Sequence, residues 1–127
     1  MHTLQTLKNE FGFNHILEAA LWAEDTGEGD QDFSDLTIHD FSLEALETLS
    51  NKYNIFLDTA ITILPPDFIP DWKSFGHDFW LTCQGHGTGF WDRKELEYQN
   101  LGNQLTAVCA DIYLGDLYQQ NGKVFLC

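Results

Sequence analysis

An α+β fold is what this sequence predicts: N-terminal helices packed on a small antiparallel sheet with one intervening helix. Three observations lead there. Apolar residues recur at helical spacing through much of residues 1–75. The period shortens toward two after Gly76. The 127 residues are 43% hydrophobic, with 10 Phe and 4 Trp, which supplies one core and leaves little room for two ordinary domains. One domain over 1–127 is therefore expected, mainly helical and acidic over 1–75 and strand-helix-hairpin over 76–127.

The first element is a helix. Phe13, Ile16, Leu17, Ala20 and Leu21 form one stripe at i, i+3, i+4, i+7 and i+8. Leu4, Leu7 and Phe11 extend it backward, with Gly12 a weak point in its middle. Thr26 to Ser34 combines two glycines with small and acidic residues and reads as a solvated loop. Ser42 is a fitting N-cap for a second helix, because its hydroxyl accepts from a free backbone N–H. Leu46, Leu49, Tyr53, Phe56, Leu57 and Ala60 line one face of that helix. Pro65-Pro66 must end it, since proline lacks the N–H and restricts the residue before it. Pro70 to Phe75 reads as a short turn closed by Gly76. His77 to Cys83 alternates, with Phe79, Leu81 and Cys83 on one side, and predicts a strand. Gln84 to Gly89 holds three glycines and predicts a loop, with Phe90-Trp91 returning as a pairing strand. Asp92 caps a third helix whose face carries Tyr98, Leu101, Leu105 and Val108. Asp111 to Tyr118 and Lys123 to Leu126 read as strands joined by an Asn121-Gly122 turn.

Charge narrows the function classes. The chain carries 20 acidic and 6 basic residues, a net charge of -14. Such a surface repels phosphate, which excludes direct nucleic-acid binding and disfavours anionic membranes. Nine acids fall between Glu24 and Glu47: Glu24, Asp25, Glu28, Asp30, Asp32, Asp35, Asp40, Glu44 and Glu47. No Lys or Arg lies between Lys8 and Lys52. These nine are the candidate partner-binding residues. Duplex DNA carries one charge per about 1.7 Å of axis, so nine carboxylates match roughly 15 Å of it. A phosphate mimic and a solvated face are both consistent with that density. Asp30, Asp32 and Asp35 approach a calcium-loop spacing but lack its Gly and terminal Glu.

No secretory leader or apolar run of about 18 residues is visible, which points to the cytoplasm. Cys83, Cys109 and Cys127 lack CxxC spacing and read as buried, reduced thiols. No cofactor is expected. Gly85-His86-Gly87-Thr88-Gly89 has no Walker lysine and no complete GxGxxG. Ser34, Ser42, Ser50 and Ser74 stand outside any GxSxG elbow, so no catalytic residue is assigned. Trp22, Trp72, Trp80 and Trp91 read mainly as core, any exposed one marking a protein-binding patch.

The run Gly76-His77-Asp78-Phe79-Trp80-Leu81-Thr82, then Gly85-His86-Gly87-Thr88-Gly89-Phe90-Trp91-Asp92-Arg93, is long and specific. It resembles a family of small acidic bacteriophage and prophage proteins whose core reads HDFWLT, then GHGxGFWDR. The likeness continues through Leu101-Gly102, Leu105-Thr106, Tyr113 and Gly122-Lys123-Val124, and includes Ala20-Leu21-Trp22 before the acidic stretch. Cys83-Gln84 departs from the family's frequent Arg-Asn. The resemblance implies a phage-related protein acting in the host cytoplasm and supplies no catalytic residues. Three readings follow. The first is an inhibitor of a host defence or DNA-processing enzyme (anti-CRISPR or anti-restriction in type) that acts through its acidic face. The second is a metal-dependent hydrolase using His77, Asp78, His86 and Asp92. The third is a non-inhibitory phage structural or regulatory protein. A homodimer is compatible with each.

Overall fold

The computed structural model describes residues 1–127. Thr3 caps α1 (Leu4–Glu10) by accepting from the Thr6 N–H at 3.2 Å. Gly12, at φ 71°, then turns the chain into α2 (Phe13–Glu24). The expected single N-terminal helix is thus two, because a left-handed residue breaks the hydrogen-bond ladder. In α2 the anticipated stripe is buried at Phe13, Ile16, Leu17 and Ala20, while Leu21 is half-buried.

Ser42 caps α3 (Leu43–Ile63) as expected, its Oγ accepting from the Ala45 N–H at 3.1 Å. Leu49, Tyr53, Phe56, Leu57 and Ala60 are buried, and the helix stops just before Leu64-Pro65-Pro66. Tyr53 spans the core, and its hydroxyl donates to the Phe11 carbonyl at 2.7 Å.

The largest correction concerns residues 77–83, which are helical. Asp71 caps α4 (Trp72–Cys83), accepting from the Lys73 N–H at 3.2 Å and the Ser74 hydroxyl at 3.1 Å. Gly76 is not a stop but a point of close approach to the start of α2. A Cβ there would lie 2.6 Å from the Gly12 carbonyl oxygen. The short turn expected over Pro70 to Phe75 merges into this helix. Phe90-Trp91 is likewise no strand but a 3₁₀ turn (Phe90–Asp92), followed by two more at Lys94–Leu96 and Tyr98–Asn100. Asp92 caps the first of these turns, not a long helix. Helix α5 (Leu101–Cys109) begins later than expected and leaves Tyr98 exposed.

The fold is α+β, with five helices and one two-stranded antiparallel sheet. Strand β1 (Leu117–Gln120) pairs with β2 (Lys123–Leu126) in the register Leu117–Leu126 to Gln120–Lys123. Asn121 and Gly122 both have positive φ, 54° and 79°, as a tight primed hairpin turn requires. The first strand starts at Leu117, not Asp111. The expected intervening helix is present as α5, but the strands expected before it are helix and 3₁₀ turn, so the sheet is the hairpin alone. The helices pack chiefly on one another, α2 against α4 above all. The hairpin closes one side through Val124, whose carbonyl accepts from the Ser42 N–H at 2.9 Å.

One core cluster draws on residues from Leu7 to Val124. Phe56 is its hub, with ring centroids 4.8 Å from Phe79 and 5.5 Å from Phe90. Each buried Phe contributes roughly 1.5–3 kcal/mol of transfer energy, and aromatic pairing adds about 0.5–1.5 kcal/mol. No helix is long and apolar enough to cross a membrane.

Candidate functional site: the acidic loop and the Gly-His-Gly loop

The segment between α2 and α3 is built around buried Phe33. Of the nine acids from Glu24 to Glu47, which run from the end of α2 into the start of α3, four serve the fold. Glu24, at the end of α2, accepts from the Trp80 indole N–H at 2.9 Å and contacts His86 Nε2. Asp25 accepts from the backbone N–H of Gly27 at 2.9 Å and of Phe33 at 3.3 Å. Asp32 accepts from the Ser34 N–H at 3.1 Å and hydroxyl at 2.7 Å. Those bonds hold its carboxyl below the usual carboxylate range. Asp40 accepts from the Thr37 N–H at 2.8 Å, closing a capping box.

The other five, Glu28, Asp30, Asp35, Glu44 and Glu47, are exposed. None takes part in a side-chain ion pair; the three such contacts in the molecule are His15–Glu18, His86–Glu24 and Arg93–Asp78. Their charge faces solvent uncancelled. Trp22, 75% exposed, stands on α2 two residues before Glu24. The concavity bordered by Asp32, Ser34, Asp35, Leu36, Gln119 and Gly122 holds about 220 Å³. Small-molecule sites typically run to about 300–1,000 Å³.

Residues 84–93 form the second part of the site. His86 does not bond within its own loop; it reaches across to Glu24 and joins this loop to the foot of the acidic segment. Asp92 accepts from the Thr88 hydroxyl at 2.7 Å and the Gly89 N–H at 3.2 Å. Arg93 pairs with Asp78 in a fork, Nε to Oδ2 at 2.7 Å and Nη2 to Oδ1 at 2.9 Å. Burial outweighs that pairing and holds the Asp78 carboxyl above its ordinary value, while the pair raises Arg93. The four residues expected for a hydrolase are therefore not gathered at one point. Asp78 neutralises Arg93, Asp92 caps a turn, and His86 serves Glu24.

His77 instead faces α2, where it meets His15 and Glu18. Burial pushes its imidazole below the usual histidine range. The alternation that predicts a strand at residue 77 hides this trio from the sequence, where its one signal is His15 and Glu18 at i, i+3.

Trp80 is fully buried, Trp72 half-buried, and Trp91 is 37% exposed. All three cysteines are free, but Cys127 is exposed and Cys83 half-buried, so only Cys109 matches the buried thiol expected. A neighbouring Cys83 thiol and burial push Cys109 up, which keeps it protonated.

Comparisons with protein-family models, curated proteins and solved structures found no match for this chain.

Proposed function

We propose that this chain is a non-enzymatic, phage-encoded protein that binds a host defence or DNA-processing enzyme, its acidic face competing with nucleic acid for a basic cleft. The observation that carries this reading is the set of five exposed, unneutralised carboxylates, Glu28, Asp30, Asp35, Glu44 and Glu47, on a loop and helix start that are themselves held in shape. A rigid display of charge loses less entropy on docking than a mobile one. Exposed Trp22 adds an apolar anchor beside a charged rim. Origin and compartment rest on the resemblance of the HDFWLT and GHGTGFWDR segments to phage proteins.

Affinity capture from host lysate with mass spectrometry identifies the partner, and binding to the recovered enzyme then tests the mechanism. Glu28→Gln, Asp30→Asn and Asp35→Asn are combined; Asp25, Asp32 and Asp40 are left because they shape the loop. Three exposed charge contacts at roughly 0.2–1 kcal/mol each give about a tenfold loss of affinity. Affinity should also fall as salt rises, and nucleic acid should displace the protein. An unchanged affinity in the triple variant refutes docking through these acids. Capture of virion components alone would favour the structural or regulatory reading instead.

A further inference from the structure

Close contact between α2 and α4 creates a second site, which shares no residue with the acidic face. The missing side chain at Gly76 lets α4 approach until a Cβ there would touch His15 Cβ at 3.1 Å. His77, the next residue, then faces His15 with ring centroids 5.9 Å apart and planes at 66°. Glu18 lies one turn along α2 from His15 and hydrogen-bonds its Nδ1. One nitrogen of each ring and one Glu18 oxygen fall within 4.8 Å of one another. Nε2 of His77 is shut off from solvent and has no hydrogen-bond partner. A buried nitrogen in that state costs stability unless something occupies it.

We propose that His15, Glu18 and His77 form a binding site for a divalent transition-metal ion of the zinc class. Two imidazoles and a carboxylate are a borderline donor set, which suits zinc and its neighbours over calcium or magnesium. A tetrahedral ion about 2.0–2.1 Å from each donor sets the donors about 3.3 Å apart. The donors, all within 4.8 Å of one another, therefore close by no more than about 1.5 Å, within reach of side-chain rotation on two fixed helices. Three protein ligands leave a fourth position for water or a donor from a partner. His15 and Glu18 are 34% and 47% exposed, which gives the ion an entry path. His77 holds the inner side. Because Glu18 is itself a ligand and no further carboxylate hydrogen-bonds either imidazole, micromolar affinity is expected, not the nanomolar affinity of a fully supported site.

The test is zinc titration calorimetry on the untagged 127-residue chain stripped with EDTA, with cobalt absorption spectra recorded in parallel. One equivalent should bind, with visible bands of a four- or five-coordinate nitrogen/oxygen site. Glu18→Gln, on the exposed side, should weaken binding at least about tenfold without changing the circular dichroism spectrum. His15→Ala and His77→Ala should abolish it, whereas His39→Ala and Cys127→Ser should bind as the parent does. Absence of saturable binding overturns the proposal. So does binding that survives Glu18→Gln and His15→Ala, or a cobalt–thiolate charge-transfer band.

Discussion

Arg93→Ala is expected to remove about 3 kcal/mol of folding stability. Asp78 is 2% exposed, and its carboxylate takes both of its strong hydrogen bonds from the Arg93 guanidinium, at 2.7 and 2.9 Å. Removing one member of a buried pair typically costs about 3–5 kcal/mol, because the other charge stays buried without compensation. The Arg93 side chain is 38% exposed, so screening sets the value at the low end. For a chain of this length about 3 kcal/mol corresponds to a fall in Tm of roughly 12 °C. The loss also has a pH signature. Burial already holds Asp78 above its ordinary value, and without Arg93 to oppose burial it rises further. A carboxyl raised in the folded state contributes stability in full below its unfolded value near 3.9, and that contribution disappears as pH rises through the folded value. The deficit of Arg93→Ala should therefore be greatest near neutrality and should narrow toward about pH 4.5. Urea unfolding of parent and variant across that range gives both quantities. A neutral-pH loss below about 1 kcal/mol, or a gap that stays constant with pH, would refute the reasoning.

Glu24→Ala should cost about 1–3 kcal/mol by stranding the buried Trp80 indole N–H, and Glu24→Gln, which keeps an acceptor, should cost less; chemical denaturation followed by tryptophan fluorescence distinguishes the two. Gly76→Ala should destabilise by roughly 1–3 kcal/mol, through its collision with the Gly12 carbonyl, although alanine in a helix usually gains about 1 kcal/mol over glycine. A thermal melt above that of the parent would show that α2 and α4 can separate at no cost. Tyr53→Phe should lose about 1–2 kcal/mol, measured by urea unfolding, because the Phe11 carbonyl loses its partner.

The elements legible in the sequence are those with local punctuation. Helix α3 has a serine cap, a single apolar face and a terminal proline pair, and each signal is independent of the rest of the fold. The hairpin declares itself through Asn121-Gly122. Helix α4 conceals itself because its neighbours cover most of its circumference. Phe79, Trp80 and Leu81 are all buried, so no polar stripe marks a period of 3.6. Its one charged interior residue, Asp78, is answered by Arg93 from a later turn, a pairing that no window of sequence displays. Gly76 misleads for a related reason, since it is required by α2 and not by the end of a helix. In the acidic segment, composition revealed the density of charge but not its division into four carboxylates that hold the fold and five that face solvent. That division depends on which backbone N–H groups each carboxylate meets.

The bridge between Phe41 and Val124 bears on biosynthesis. Val124 is fully buried beside the start of the longest helix, and Ser42 donates its backbone hydrogen to the Val124 carbonyl. On a ribosome, the earlier helices emerge and form while this seat is still vacant. The nascent chain therefore holds an open hydrophobic socket until the hairpin has emerged, and cooperative locking of the structure follows that emergence.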